Sequence, residues 1–214
     1  MIPMLLAALL SVTAPAAHAS AAGAGLPGDS TLRALYAQGR TFEEFVAGAR
    51  RRTETWRRMA AEASADPGLV SRARSVGGAW HVLAIAEDFC GDSAFNLPYV
   101  AKLVAAVPGL ELRIVGAGAG RSVMEAHRTP DGRAATPTFL LLDSSWKEVG
   151  CFVERPAPLV AWHMENRATK SSDEVHAHVQ EWYDTDKGRG TVTEFVEILE
   201  AAAAGRPRCV VGAS

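Results

Sequence analysis

Apolar residues recur along this chain with two different periods. Between Thr41 and Ala63, Phe42, Phe45, Val46, Ala49, Trp56 and Met59 fall at helical spacing, and Thr41 with Glu44 makes a capping box at the start. The spacing predicts one long amphipathic helix over 41–63, with Arg50, Arg51, Arg52, Arg57 and Arg58 on its solvated face. Asp66-Pro67-Gly68 then breaks the chain before a shorter helix over 69–75. From Trp80 the pattern tightens into WHVLAIA, which has the length and branched content of a buried strand. A helix over 90–107 follows, with Ala94, Leu97, Ala101 and Val104 inward and Pro98 inside it, where a missing N–H predicts a kink.

The alternation continues with a strand at LELRIVG, a helix over 121–127, and strands at TFLLLD and EVGCFV joined by the Asp143-Ser144-Ser145 turn as a hairpin. Two more helices are predicted, one over 172–183 and one opened by a Thr191/Glu194 capping box with Gly205 as its stop. The order βαβαββα, with helices added at both ends, describes an α/β fold with a mixed sheet flanked by helices.

With 214 residues, 48% of them hydrophobic, the chain suits one domain. A net charge of −2 gives no global field that argues for nucleic acid. The opening residues hold an apolar run from Met4 to Val12 and then Ala17-His18-Ala19, which reads as a secretory signal over 1–19. The run is too short to span a bilayer, so no integral membrane segment is expected after its removal. This organisation implies a periplasmic or secreted protein. The alternative is an Ala/Gly leader on a cytoplasmic chain. A linker is expected over 20–40, a domain over 41–205 with its core at about 78–160, and a flexible tail over 206–214.

The three cysteines, Cys90, Cys151 and Cys209, are too few and too widely spaced for a disulfide scaffold, and an odd count leaves at least one thiol free. Cys151 lies in an apolar strand and reads as buried, whereas Cys209 falls in the tail. Cys90, in AEDFCGDSAFNLP, stands where a strand ends and a helix begins. There, unpaired N–H groups and the helix dipole favour an anion, and the thiolate is the reactive form of cysteine. Ser93 lies on the same side one turn on and can donate a hydrogen bond, but it cannot form a disulfide. Gly91 lets a partner backbone approach, and the charge of Asp92 opposes a neighbouring thiolate. Glu87 is open to two readings, a proton shuttle or a salt-bridged loop carboxylate. His176 and His178 are two apart and point to different sides of a helix, so no metal site is expected. Nor is a cofactor: GAGAGR, Gly116 to Arg121, lacks the third glycine of a dinucleotide turn.

Cys90 followed by Pro98, with Thr136-Pro137 just before a strand, resembles the thioredoxin superfamily. Within it, EDFCGDS and the later Glu154-Arg155-Pro156 are similar to a bacterial thioredoxin-like group with an N-terminal helical extension. The resemblance implies a thioredoxin-like fold, a monothiol Cys-x-x-Ser motif with Cys90 as nucleophile, and Ser93 in place of a resolving cysteine. It also implies a cis Pro137 which, with Thr136 before it, docks substrate beside the sulfur, and Phe89, Gly91 and Asp92 as further substrate contacts. The implied reaction is thiol–disulfide exchange with a protein thiol or disulfide, or with a low-molecular-weight thiol such as glutathione. A redox-inactive thioredoxin-fold module that binds peptides or proteins is the competing reading, so whether the chain is an enzyme stays open.

Overall fold

The computed structural model describes residues 27–210, and the secretory-signal reading of Met1 to Ala19 lies outside them. Five strands form one mixed sheet in the order β2-β1-β3-β4-β5. They are β1 (Trp80–Ile85), β2 (Leu110–Val115), β3 (Thr138–Leu142), β4 (Glu148–Val153) and β5 (Arg208–Val210). β1 runs parallel to β2 and antiparallel to β3, β3 and β4 make the expected hairpin, and β5 joins β4 in parallel.

Alternation along β1 explains the layering. Val82 and Ala84 point into a core with Trp56, Leu97, Val100, Phe195 and Leu199, which covers one face of the sheet. Leu83 and Ile85 point the other way, against Leu32, Leu35, Val123 and Met124. The first face carries α3 (Thr53–Glu62), α4 (Pro67–Val76), α5 (Gly91–Ala106) and α9 (Arg189–Ala203), and the second carries α1 (Asp29–Gln38) and α6 (Arg121–Ala126). Gly120 caps α6 where a Cβ would lie 2.4 Å from the Ile85 side chain, so the helix starts this close to β1 only with glycine there.

Several boundaries differ from the sequence expectations, each for a tertiary reason. The expected linker over 20–40 contains α1, whose Leu32, Leu35 and Tyr36 are buried against the sheet. The long helix over 41–63 is two helices, α2 (Phe42–Gly48) and α3, because the intervening Arg50 and Arg51 N–H groups bond a distant carboxylate and Arg52 turns left-handed, at φ 47°. An additional helix, α7 (Ala157–Asn166), follows β4, and α8 (Ser172–Asp186) continues past Tyr183. The expected tail contains β5, so Arg208–Val210 belong to the sheet.

Helix α9 begins at Arg189 rather than at a Thr191/Glu194 capping box. The glycine before it, Gly188, is left-handed, at φ 74°, and packs where a Cβ would enter the Tyr99 ring. Thr191 and Glu194 serve other elements. Glu194 accepts from the Ala157 N–H at 2.7 Å, tying α7 to α9, while its other oxygen is buried without a partner among the described residues. Burial pushes its carboxyl up to about 7, partly offset by the Ala157 N–H. A raised carboxyl keeps a proton in the folded chain that the unfolded chain releases, so stability falls as pH rises from the ordinary carboxylate range through 7. Glu194→Gln is therefore expected to leave the melting temperature near unchanged at pH 5 and to raise stability by about 1–2 kcal/mol at pH 8. Calorimetry at the two pH values reads the difference.

Candidate functional site

Cys90 is the N-cap of α5, and two backbone groups hold its sulfur. The Ser93 N–H donates to Sγ at 3.4 Å, as a side-chain cap does, and the thiol donates to the Thr136 carbonyl at 3.1 Å. β1 delivers the cysteine to the end of the sheet, and the loop before β3 brings Thr136 across from 46 residues away. The Thr136–Pro137 peptide is cis, and the Pro137 carbonyl accepts from the Glu154 N–H at 2.7 Å. Cys90 is partly exposed and is the free cysteine of the described residues. Phe89 beside it is 57% exposed, a large apolar side chain left in solvent at the edge of the site.

Behind the sulfur lies a buried polar network. Arg155 meets Asp92 with two parallel bonds of 2.9 Å, and the Tyr183 hydroxyl donates to the same carboxylate at 2.7 Å. Asn96, one turn further along α5, donates to the Glu154 carbonyl and to the Tyr183 hydroxyl at 3.0 Å each, and accepts from Thr191 at 2.5 Å. Glu154, left-handed at φ 62°, receives Arg133 in a second bidentate pair of 2.8 and 2.9 Å. Burial opposes the charge on Arg155, but the Asp92 bonds outweigh it and hold the guanidinium above its ordinary value. Burial, and then the Asp92 charge, push the Tyr183 phenol well up, so it remains a donor.

The N-terminal helices reach the site through their connecting loop. Asp88 accepts from the Arg50 and Arg51 N–H groups at 2.7 and 3.0 Å, and its carbonyl accepts from the indole of Trp56, which is fully buried. The Arg52 side chain donates to the Phe89 carbonyl at 2.7 Å, and its guanidinium carbon lies 3.8 Å from where a Gly91 Cβ would stand. The arginines read as a solvated helix face thus bracket the cysteine loop. Sequence reasoning misses Asp88, Trp56, Arg52 and Asn96 as site residues, and no local signal finds them, because Asp88 takes backbone N–H groups of Arg50 and Arg51 rather than their charges.

The structure therefore brings Phe89, Cys90, Gly91, Ser93, Thr136 and Pro137 together and gives two residues other work. The Asp92 carboxylate is held by Arg155 and Tyr183. Glu87 does not bond the thiol: its carboxylate accepts from the Ala117 N–H at 2.6 Å and braces the loop after β2. The Ser93 hydroxyl is fully buried and bonds nothing among the described residues, so it is the backbone of Ser93, not its side chain, that contacts the sulfur. Cys151 is buried as expected. Cys209 is not in a free tail; it pairs with Cys151 across β4 and β5 and forms a disulfide with it, the Cα atoms 4.3 Å apart. His127 lies with these two sulfurs, and both of its ring nitrogens are engaged.

A thioredoxin family model matches residues 39–176. Among solved structures, a protein of unknown function from Pseudomonas aeruginosa, PA1234, aligns with a TM-score of 0.61 at 22% identity, covering 78% of this chain and 96% of its own. An HIV epitope-scaffold aligns with a TM-score of 0.59 at 20% identity, covering 79% of this chain and 97% of its own. These likenesses describe the fold. A comparison with curated proteins gives no match.

Removing one partner of a buried ion pair leaves the other charge desolvated. Asp92→Asn, which strands Arg155, is expected to cost about 3 kcal/mol in a denaturant melt. Asp131→Asn, whose carboxylate is shielded but whose partner Arg133 is half exposed and keeps Glu154, is expected to cost less, about 1–2 kcal/mol.

Proposed function

Because the chain belongs to the thioredoxin family, we propose that it is a thiol redox protein in which Cys90 alone carries out thiol–disulfide exchange. The observation that carries this reading is the position of Sγ between the Ser93 N–H and the Thr136 carbonyl at the start of α5. Deprotonation gives up the bond to Thr136 and leaves a thiolate facing an N–H donor and the positive end of a sixteen-residue helix. The thiolate attacks one sulfur of a disulfide RS–SR; a Cys90–SR bond forms, the old S–S bond breaks, and RS⁻ leaves with the electron pair. With Ser93 where a second motif cysteine would stand, the mixed disulfide waits for a different external thiolate R′S⁻, which attacks the bound sulfur of R, releases RSSR′ and returns the Cys90 thiolate. Ser93 Oγ, unpaired and buried, is the reserve donor for the thiolate.

The substrates we propose are protein disulfides and low-molecular-weight thiols such as glutathione. Arg52 supports an anionic thiol, since its guanidinium borders Gly91, and exposed Phe89 offers an apolar contact beside the Thr136-Pro137 loop. The similarity of EDFCGDS and Glu154-Arg155-Pro156 to the extended bacterial group agrees with this assignment. Export to the periplasm or the exterior is part of the proposal, supported by the Cys151–Cys209 disulfide, because disulfides persist in oxidising compartments. The exposed Phe89 also favours the second reading, a module that docks peptide without turnover.

Mass spectrometry of the native chain exposed to oxidised glutathione separates the two. One glutathione adduct on Cys90, absent from Cys90→Ser and released by added thiol, is the expected result; an unmodified Cys90 after prolonged exposure leaves only the docking reading. Ser93→Cys supplies the missing thiol and should shorten the lifetime of that adduct at least about tenfold, with a disulfide between Cys90 and the introduced thiol as product.

A further inference from the structure

A second sulfur site lies on the opposite face of the sheet from α5. Cys151 on β4 is buried, Cys209 on β5 is exposed, and a ring nitrogen of His127 and the two sulfurs all lie within 4.8 Å of one another. His127 sits at the end of α6 and is itself buried. One ring nitrogen is 2.8 Å from the Val123 carbonyl and the other 2.7 Å from the Glu148 carboxylate. Both partners are hydrogen-bond acceptors, an arrangement that favours a hydrogen on each nitrogen. Burial works against a charged ring, but the hydrogen bond and charge of Glu148, with the Val123 carbonyl, outweigh it and raise the imidazole above its ordinary value. Arg208, next to Cys209, pairs with Glu197 at 3.1 Å.

We propose that Cys151–Cys209 is a redox site in its own right, reducible in the folded protein by small thiols, with His127 stabilising the Cys151 thiolate that leaves. An external thiolate RS⁻ attacks the sulfur of Cys209, the solvent-facing residue of the pair. The Cys209–SR bond forms, the Cys209–Cys151 bond breaks, and the electron pair leaves on Cys151 Sγ beside the His127 ring. A second RS⁻ then attacks the bound R sulfur, releases RSSR and leaves Cys209 as thiolate. Two RSH are oxidised to RSSR and the protein disulfide is reduced to two thiols, a two-electron balance. Access and leaving-group acidity both set the rate of such exchange, and this site supplies both. The three-residue β5 at the sheet edge adds to the access, because opening it disturbs one short ladder rather than the core. Neither Cys90 nor its helix takes part, so the site stands whether or not the Cys90 reading does.

The test uses the full chain carrying Cys90→Ser, incubated in glutathione buffers of graded ratio at pH 7, acid-quenched, alkylated and read by mass spectrometry. The expected result is reversible interconversion of the Cys151–Cys209 disulfide and its dithiol within minutes at millimolar thiol, while circular dichroism stays folded. Glu148→Gln, which weakens the cation, should slow reduction about threefold, and His127→Gln about tenfold, without changing the site of glutathione attachment at Cys209. A disulfide that resists millimolar thiol until denaturant unfolds the chain overturns the proposal. So does reduction at an unchanged rate in His127→Gln and Glu148→Gln proteins that melt as folded chains.

Discussion

The pair between Asp92 and Arg155 joins three parts of the molecule that the chain supplies separately. Asp92 is in the first turn of α5, Arg155 follows β4, and the Tyr183 hydroxyl that completes the carboxylate comes from α8. A carboxylate and a guanidinium can be this well buried only when their remaining lone pairs and protons are also met. The Tyr183 hydroxyl meets one lone pair of Asp92 and Glu154 lies 3.7 Å from Arg155 Nη2, Asn96 and Thr191 in turn hold Tyr183 in place, and Arg155 Nη1 is left without a partner among the described residues. The direction of α5, and with it the place of Cys90 at its head, follows from this polar cluster as much as from the apolar packing of Leu97, Val100 and Leu103.

The consequence for the thiol is electrostatic. Asp92 alone would set a negative charge two residues from the Cys90 sulfur. Paired with Arg155, the carboxylate is neutralised locally, and the helix terminus faces the sulfur with its N–H groups. Arg52 arrives from the other side, carried by the α2–α3 loop that Asp88 grips. The N-terminal helices are thus part of the site's wall, fastened by the indole of Trp56 and by two backbone N–H groups. At the far edge of the sheet, the Cys151–Cys209 link fastens the end of the chain to β4, enclosing α7, α8 and α9, from which Tyr183 and Thr191 reach back to α5.

Much of the α/β order was legible because buried strands and helices leave strong periods. WHVLAIA, TFLLLD and EVGCFV mark strands wherever they are read, and Cys90 stands at a strand-to-helix junction by that pattern alone. The errors fall where a local signal competed with a distant one. Thr191 and Glu194 have the spacing of a capping box, yet the hydroxyl is taken by Asn96 and the carboxylate by Ala157. Phe42 to Met59 keep one helical period through a loop because Asp88, almost forty residues later, captures the amides of Arg50 and Arg51 and stops the helix. Glu87 looked free to serve the cysteine, but a loop after β2 holds it.

By itself the amino-acid sequence determined the central strands and helices, the mixed α/β class, the cysteine at a helix start and the absence of a second thiol in its motif, since these depend on residues close together in the chain. Tertiary structure decided which charges face solvent and which face each other, that Asp92 pairs with Arg155, that Arg52 borders Gly91 in the cysteine loop, and that Cys209 joins Cys151. Those outcomes depend on partners 37 to 91 residues apart. Chain closure over such separations is set by the packing of the whole sheet, and no local pattern encodes which of many carboxylates or sulfurs will arrive.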